Sequence, residues 1–115
     1  MSTALRISNN DLEDLGNSGQ LCESLASVVF MPEKLLWLDL SFNLLKDIGS
    51  IAGACPALKL LYLHTNQIED TAQIDSLSGL TQLKTLTLHG NPVENATAPA
   101  YRFRVAAALP TLRQL

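Results

Sequence analysis

The sequence predicts a right-handed α/β solenoid, because one spacing of leucines and an asparagine occurs three times along its 115 residues. The spacing is L-x-x-L-x-L-x-x-N-x-L, and its x-L-x-L part alternates with a period of two, as a strand with one buried face does. The three units are filled by Leu35, Leu38, Leu40, Asn43 and Leu45, by Leu58, Leu61, Leu63, Asn66 and Ile68, and by Leu83, Leu86, Leu88, Asn91 and Val93. Since one unit cannot bury its apolar face alone, the units are expected to stack around a shared core.

The asparagine of each unit has a structural role in this interpretation. It turns the chain out of the strand, and its side-chain amide can bond backbone groups of a neighbouring coil that would otherwise be unpaired. The whole spacing is typical of leucine-rich repeats. The predicted fold is therefore a leucine-rich-repeat solenoid over residues 1–115, one domain with a parallel sheet on the concave face and helices or 3₁₀ turns on the convex face.

The amino-terminal part carries an earlier, degenerate unit at residues 2–12, in which Ser2 replaces the first leucine. This brings the expected number of repeats to about four. Between that unit and the next, Leu21, Leu25 and Val28 recur on one face, which predicts a helix over 18–31. Shorter convex turns are predicted near 48–53 and near 74–79.

The last segment, 91–115, predicts a cap that covers the open end of the core. Thr97 and Pro99 favour a helix start, so a helix is expected over 98–109. Its apolar face and the beginning of one further strand are formed by Tyr101, Val105 and Leu109, followed by Leu112 and Leu115.

The motif of this cap, N-P-x…Y-R…L-P-x-L-x-x-L, resembles that of the short intracellular leucine-rich-repeat proteins. It is formed here by Asn91, Pro92, Tyr101, Arg102, Leu109, Pro110, Leu112 and Leu115. Members of that family include a regulatory subunit of protein phosphatase 1, the spliceosomal U2 A′ component and several cilium-associated proteins. The resemblance implies a cytoplasmic protein that binds other proteins, in a setting that extends to the cilium and its axoneme.

Residues between the buried leucines are expected to point onto the concave surface. They form three columns across the strands: Ala4, Trp37, Leu60 and Thr85; Arg6, Asp39, Tyr62 and Thr87; Ser8, Ser41, His64 and His89. Because tryptophan and tyrosine are frequent in binding hot spots, this surface is predicted to bind a protein partner. The predicted contact residues are Arg6, Trp37, Asp39, Leu60, Tyr62, His64, Thr85, Thr87 and His89. In the alternative interpretation, Trp37 and Leu60 are covered by neighbouring loops or by the amino-terminal segment. Separately, Phe42 is expected to pack at the sheet edge.

Several function classes are disfavoured. A net charge of −3 gives no basic footprint for nucleic acid, and no apolar run is long enough to span a membrane. His64 and His89 lack a third metal ligand, and no nucleophile motif or glycine-rich phosphate loop is present, so no enzyme activity, metal, cofactor or small-molecule substrate is expected. Cys22 and Cys55 are expected to be reduced, buried thiols.

The leading hypothesis is a non-catalytic scaffold that binds a protein partner, within a larger assembly, through the concave face. An uncapped first strand would invite further contact, so residues 2–15 are predicted to form a second contact edge. Two alternatives remain open: a regulatory subunit of an enzyme such as protein phosphatase 1, which would require an acidic concave face, and a ribonucleoprotein component, which would need a basic partner to reach RNA.

Overall fold

The computed structural model describes residues 4–9, 11–13, 15–16, 32–96 and 101–113. Within them, four short strands form one parallel sheet in the order β1-β2-β3-β4. The strands are β1 (Ala4–Arg6), β2 (Trp37–Asp39), β3 (Leu60–Tyr62) and β4 (Thr85–Thr87). The predicted leucine-rich-repeat solenoid is confirmed, whereas the helix expected over 18–31 lies outside the described residues.

The register of the sheet follows the repeat. Each central strand leucine stands beside its counterpart in the next unit, so that Leu5 pairs with Leu38, Leu38 with Leu61, and Leu61 with Leu86. Leu38, Leu61 and Leu86 are at most 1% exposed, whereas Leu5 is only partly buried. The core therefore runs along the stack and is least enclosed at β1.

The convex side is built from short helical turns, as predicted. They are α1 (Ile51–Ala54) and α2 (Thr71–Asp75), the latter running into a 3₁₀ turn at Ser76–Gly79. Asp70 precedes α2 and accepts a hydrogen bond from the Ala72 N–H at 2.9 Å, which satisfies one of the free donors of the first turn. A 3₁₀ turn at Pro32–Lys34 leads into β2.

The cap contains α3 (Pro92–Ala96) and α4 (Tyr101–Ala108). Helix α3 was not predicted, although Pro92 suits a first helical position because its fixed φ is already helical. Val105 and Leu109 are buried, as expected for the apolar face of the cap helix. Beyond them the Arg113 N–H donates to the Lys84 carbonyl at 2.8 Å, which repeats the bond from the Lys84 N–H to the Lys59 carbonyl one coil earlier. This bond places Arg113 beside Lys84, but no strand is assigned among residues 109–113, so the further strand expected at Leu112 and Leu115 stays a prediction.

The turn asparagines bond across coils, as predicted. Asn66 Nδ2 donates to the carbonyls of Leu63, in its own coil, and Leu40, in the preceding coil, at 3.0 and 3.1 Å. Its Oδ1 accepts from the Leu45 N–H at 3.1 Å. Asn43 and Asn91 make the equivalent bonds, each to a carbonyl of its own coil and to a carbonyl and an N–H of the preceding coil. Buried polar groups between coils are therefore satisfied by one side chain per unit.

Cys55 is buried, as predicted, and Cys22 lies outside the described residues; that both thiols are reduced stays a prediction. The assignment of 1–115 to a single domain stays a prediction.

Candidate protein-binding surface

The predicted columns of the concave surface are present in the structure. Trp37 stands beside Leu60 and Leu60 beside Thr85, while Asp39 stands beside Tyr62 and Tyr62 beside Thr87. The third column continues in the same register past the strand ends, because the Thr65 N–H bonds the His89 carbonyl at 2.9 Å. Alternation along each strand was thus sufficient to identify which side chains share this face.

The rings on this face form a continuous series that we name the aromatic row: Trp37, Tyr62, His64, His89 and Phe42. Trp37 meets Tyr62 edge to face with centroids 5.9 Å apart, and Tyr62 lies 6.0 Å from His64. His64 stacks on His89 at 4.7 Å with an angle of 10° between the rings, and Phe42 meets His64 edge to face at 5.4 Å. Trp37 and Tyr62 lie on β2 and β3, while Phe42, His64 and His89 lie past the ends of β2, β3 and β4.

Trp37 and Leu60 are half-buried at the start of the row. Within the part of the chain that the structure describes, the buried indole Nε1 of Trp37 has no hydrogen-bond partner. Indole N–H groups usually find a partner when buried, so this donor is an unusual feature of the surface. Thr85, next in the same column, is also half-buried.

Thr87 fixes the orientation of His64. Its Oγ1 lies 2.7 Å from His64 Nδ1 and also accepts the Leu63 N–H at 3.2 Å. Burial lowers the pKa of His64 below its ordinary value, and the neighbouring His89 lowers it further, while Asp39 partly opposes both effects. Burial and His89 thus both favour the neutral form of the His64 ring.

Asp39 and Arg6, both predicted to contact a partner, bond within the chain. Asp39 is 7% exposed, and its Oδ1 accepts from the backbone N–H and the hydroxyl of Ser41 at 3.0 and 2.6 Å. Its Oδ2 lies 3.5 Å from Arg6 Nε, and the Arg6 side chain is 68% exposed. Of the two, Arg6 has the exposed side chain and is the one that a partner can reach. The Asp39 carboxylate is already hydrogen-bonded to Ser41 and is buried.

Phe42 was expected to pack at the sheet edge, and this was wrong: its side chain is 49% exposed. Its φ is 57°, in the left-handed region that a bulky residue seldom adopts. The equivalent positions hold Asn9, Thr65 and Gly90, each with a positive φ. A comparison of the position before each turn asparagine could have shown this, because asparagine and glycine are the residues most often found in that conformation.

Two kinds of site are not seen among the described residues. No group of three or more histidine, cysteine, aspartate or glutamate side chains there is placed to hold a metal ion. None of the described helices has the length and apolar character needed to cross a membrane.

Comparison with known proteins bears out the resemblance to leucine-rich-repeat proteins. A family profile for leucine-rich repeats in two copies matches residues 33–75. Leucine-rich repeat-containing protein 51 of Macaca mulatta is 38% identical over 110 residues, a match covering 96% of this chain and 55% of that protein. The chain thus spans about half the length of the curated relatives it matches.

Solved structures agree on the fold. The leucine-rich-repeat domain of Mex67 from Chaetomium thermophilum matches with a TM-score of 0.76 at 26% identity, covering 98% of this chain and 80% of that one. The Drosophila melanogaster SNF/U2A′ complex contains a chain that matches with a TM-score of 0.64 at 22% identity, covering 96% of this chain and 71% of that one, and this likeness concerns the fold alone. The chain therefore has the leucine-rich-repeat fold and is similar over most of its length to the proteins named Leucine-rich repeat-containing protein 51.

Proposed function

We propose that this chain is a non-catalytic scaffold whose concave face binds a protein partner, with the aromatic row at the centre of the contact. The observation that carries the proposal is the row itself. Its rings lie on the side of the sheet away from the shared core, and Phe42 is exposed although the fold would be less strained with a smaller residue there. Exposed aromatic groups in a cluster are typical of interaction surfaces.

The shape of this surface favours a protein over a small molecule. The rings are spread over three neighbouring coils, whose strands lie about 4.8 Å apart. Small-molecule sites are clefts that enclose most of their ligand, whereas an extended face with aromatic anchors and polar neighbours is typical of protein interfaces. Arg6, Thr85 and Thr87 supply the polar groups beside the row.

A second part of the contact is proposed at the edge of the sheet beyond β1. The apolar residues of the first coil are only partly buried, in contrast to their counterparts in the next coil. The partly buried residues are Leu5, Ile7, Leu12 and Leu15. Leu38 and Leu40, which occupy the positions of Leu5 and Ile7 one coil later, are each 1% exposed. A partner over residues 2–15 would complete the burial of this end of the core.

The cellular setting is proposed from the family resemblance of the cap. A cytoplasmic assembly, such as the axoneme of a cilium, is the setting that resemblance implies. The alternative role as a regulatory subunit of protein phosphatase 1 is less well supported, because it would require an acidic concave face. Among the described residues of the three columns Asp39 is the sole carboxylate, and it is buried.

The proposal is tested by affinity capture from native cells with the wild type and with Trp37→Glu. Ser78→Glu, an exposed position of the convex 3₁₀ turn, is the matched control because it adds the same charge away from the sheet. Circular dichroism establishes that all three proteins are folded. We expect Trp37→Glu to lose a set of proteins that the wild type and Ser78→Glu both retain.

A second variant, Phe42→Asn, covers the case in which Trp37→Glu fails to fold. Asparagine tolerates the left-handed conformation of this position, so the variant removes an exposed ring at little cost to the fold. Capture of the same proteins by the wild type and by both row variants would show that the contact lies elsewhere, and the concave-face proposal would be rejected.

A further inference from the structure

We propose that the stacked pair His64–His89 receives a carboxylate from an acidic segment of the protein partner. The inference rests on the proposed function, since it concerns the chemistry of the partner that the concave face binds. It adds the sign of the partner's charge and a dependence of binding on pH, neither of which follows from the aromatic row alone.

The geometry of the pair leaves ring nitrogens available. The imidazoles are parallel within 10° and 4.7 Å apart, and His64 Nδ1 is engaged by Thr87 Oγ1 at 2.7 Å. The remaining nitrogen of His64, Nε2, is thus the one left for a partner. His89 is exposed, and Phe42 lies against the edge of His64. A carboxylate with two oxygens could meet a nitrogen of each ring from the open side.

The charges around the pair come from four elements, and each is accounted for. Asp39 on β2 is bonded to Ser41 and lies beside Arg6 of β1, so its carboxylate is already used. Tyr62 of β3 lies with its ring centroid 6.0 Å from that of His64. Glu94 of α3 accepts from the Gly90 N–H at 3.3 Å. Among the described residues no carboxylate bonds the imidazoles, so this position is open to a carboxylate from a partner.

A second observation gives the same sign of charge. Lys59, Lys84 and Arg113 stand in one column where the chain enters successive strands, joined by backbone bonds of 2.9 and 2.8 Å. Within the described residues no acidic side chain forms an ion pair with any of them. Like charges in adjacent strands destabilise each other, and an acidic partner would relieve that repulsion. Lys59 and Arg113 are exposed and Lys84 is half-buried, so these basic groups line the edge of the sheet where the strands begin, although the chain as a whole carries a charge of −3.

The stack also limits how many protons the pair can take up. Two imidazolium ions at this distance repel each other, so protonation of one ring disfavours protonation of the second. A carboxylate placed against the pair would favour the charged form of one ring and raise its pKa. Binding is thus expected to draw in one proton at most, and to strengthen as the pH falls toward the range in which histidine titrates.

The experiment uses two labelled amphipathic peptides of about 18 residues, long enough to form a helix. Both carry leucines on one face, and the flanking positions are glutamate in one peptide and glutamine in the other. Fluorescence anisotropy gives their affinity for the wild type at about pH 6 and about pH 8. We expect the glutamate peptide to bind about fivefold tighter at the lower pH, the change that a rise of about one unit in the pKa of one imidazole produces. The glutamine peptide should bind more weakly and independently of pH.

The double variant His64→Gln/His89→Gln should remove this dependence on pH, whereas Glu69→Gln, an exposed carboxylate outside the three columns, should leave it unchanged. Because the chain contains two histidines, proton NMR of the ring signals provides a direct readout. The pKa of one imidazole should rise when the glutamate peptide is added, and neither should rise with the glutamine peptide.

Several results would overturn the inference. They are absence of binding by the glutamate peptide, equal affinity for the two peptides, a pH dependence that persists in the double variant, and tighter binding of an oligouridylate than of the glutamate peptide. The scaffold proposal is judged separately, by the loss of captured proteins in Trp37→Glu. If that loss occurs while the peptides show no effect of pH, the scaffold stands and the histidine inference fails.

Discussion

Replacement of Asn66 by alanine should destabilise the fold by about 2 to 4 kcal/mol. The value follows from the backbone groups that would lose a hydrogen bond to the Asn66 side chain. The Leu45 N–H would lose its bond to Oδ1 and remain buried without a partner, at a cost of about 1 to 3 kcal/mol. The carbonyls of Leu40 and Leu63 would lose one bond each but keep another, from Asn43 and Asn91 respectively. We assign about 0.5 kcal/mol to each of these lesser losses.

The same reasoning ranks the three asparagines. Replacement of Asn43 by alanine should lower the free energy of unfolding less than replacement of Asn66. The partners of Asn43, the Leu12 N–H and the Ile7 carbonyl, lie in the partly buried first coil, where water can replace a lost bond. Replacement of Asn91 by alanine should lower the free energy of unfolding as much as replacement of Asn66 or more. The Leu88 carbonyl and the Ile68 N–H would both lose their bonds to the Asn91 side chain, and both bonds are buried.

The assay is urea unfolding followed by the fluorescence of Trp37, the single tryptophan of the chain. Asn95→Ala, at an exposed position, is the control and should change the free energy of unfolding by less than about 0.5 kcal/mol. A loss below about 1 kcal/mol for Asn66→Ala, or a larger loss for Asn43→Ala, would refute the account of these side chains as bridges between coils.

Three further outcomes are expected. Because His64 has a lowered pKa in the folded state, the unfolded chain binds more protons below about pH 6.5, so the free energy of unfolding should fall as the pH decreases from there. In urea titrations across that range, His64→Gln should lose less stability than the wild type, and an equal loss would contradict the assignment. Arg6→Gln should change the free energy of unfolding by less than about 1 kcal/mol in the same assay, because the Arg6–Asp39 pair is largely exposed on the arginine side; a larger change would mean that the pair is structural. Phe42→Asn should leave stability within about 1 kcal/mol of the wild type, since relief of the positive φ offsets the lost edge contact with His64, and a loss above about 2 kcal/mol would show that the ring is a core residue.

The fold and the columns could be predicted because they depend on local rules. Leucine alternation places Leu38 inside and Trp37 outside, and the turn asparagines fix how far one unit is shifted against the next. Such rules depend only on spacing, so they identify faces without knowledge of side-chain conformations.

What could not be predicted depends on conformations that spacing does not determine. The burial of Asp39 follows from the rotamer that brings its oxygen within 2.6 Å of the Ser41 hydroxyl. The stacking of His64 on His89 is accompanied by a contact of 2.7 Å between His64 Nδ1 and Thr87 Oγ1, which the spacing of the repeat does not specify. Helix α3 begins at a proline that could equally have ended a turn. Each of these features arises from a contact between side chains, and not from the repeat.

Phe42 connects the repeat to function more directly than any other residue of the row. The repeat requires a left-handed backbone conformation at the residue before each turn asparagine. Gly90 has this conformation, and a Cβ at its position would lie only 3.0 Å from Thr65 Oγ1. Phenylalanine is a poor choice for that backbone and is also half exposed, so neither folding nor burial explains it. Where a sequence departs from the local rule that its own repeat sets, a functional site is the expected reason. This argument does not use the surface position of Trp37 or Tyr62, and it leads to the same face of the sheet.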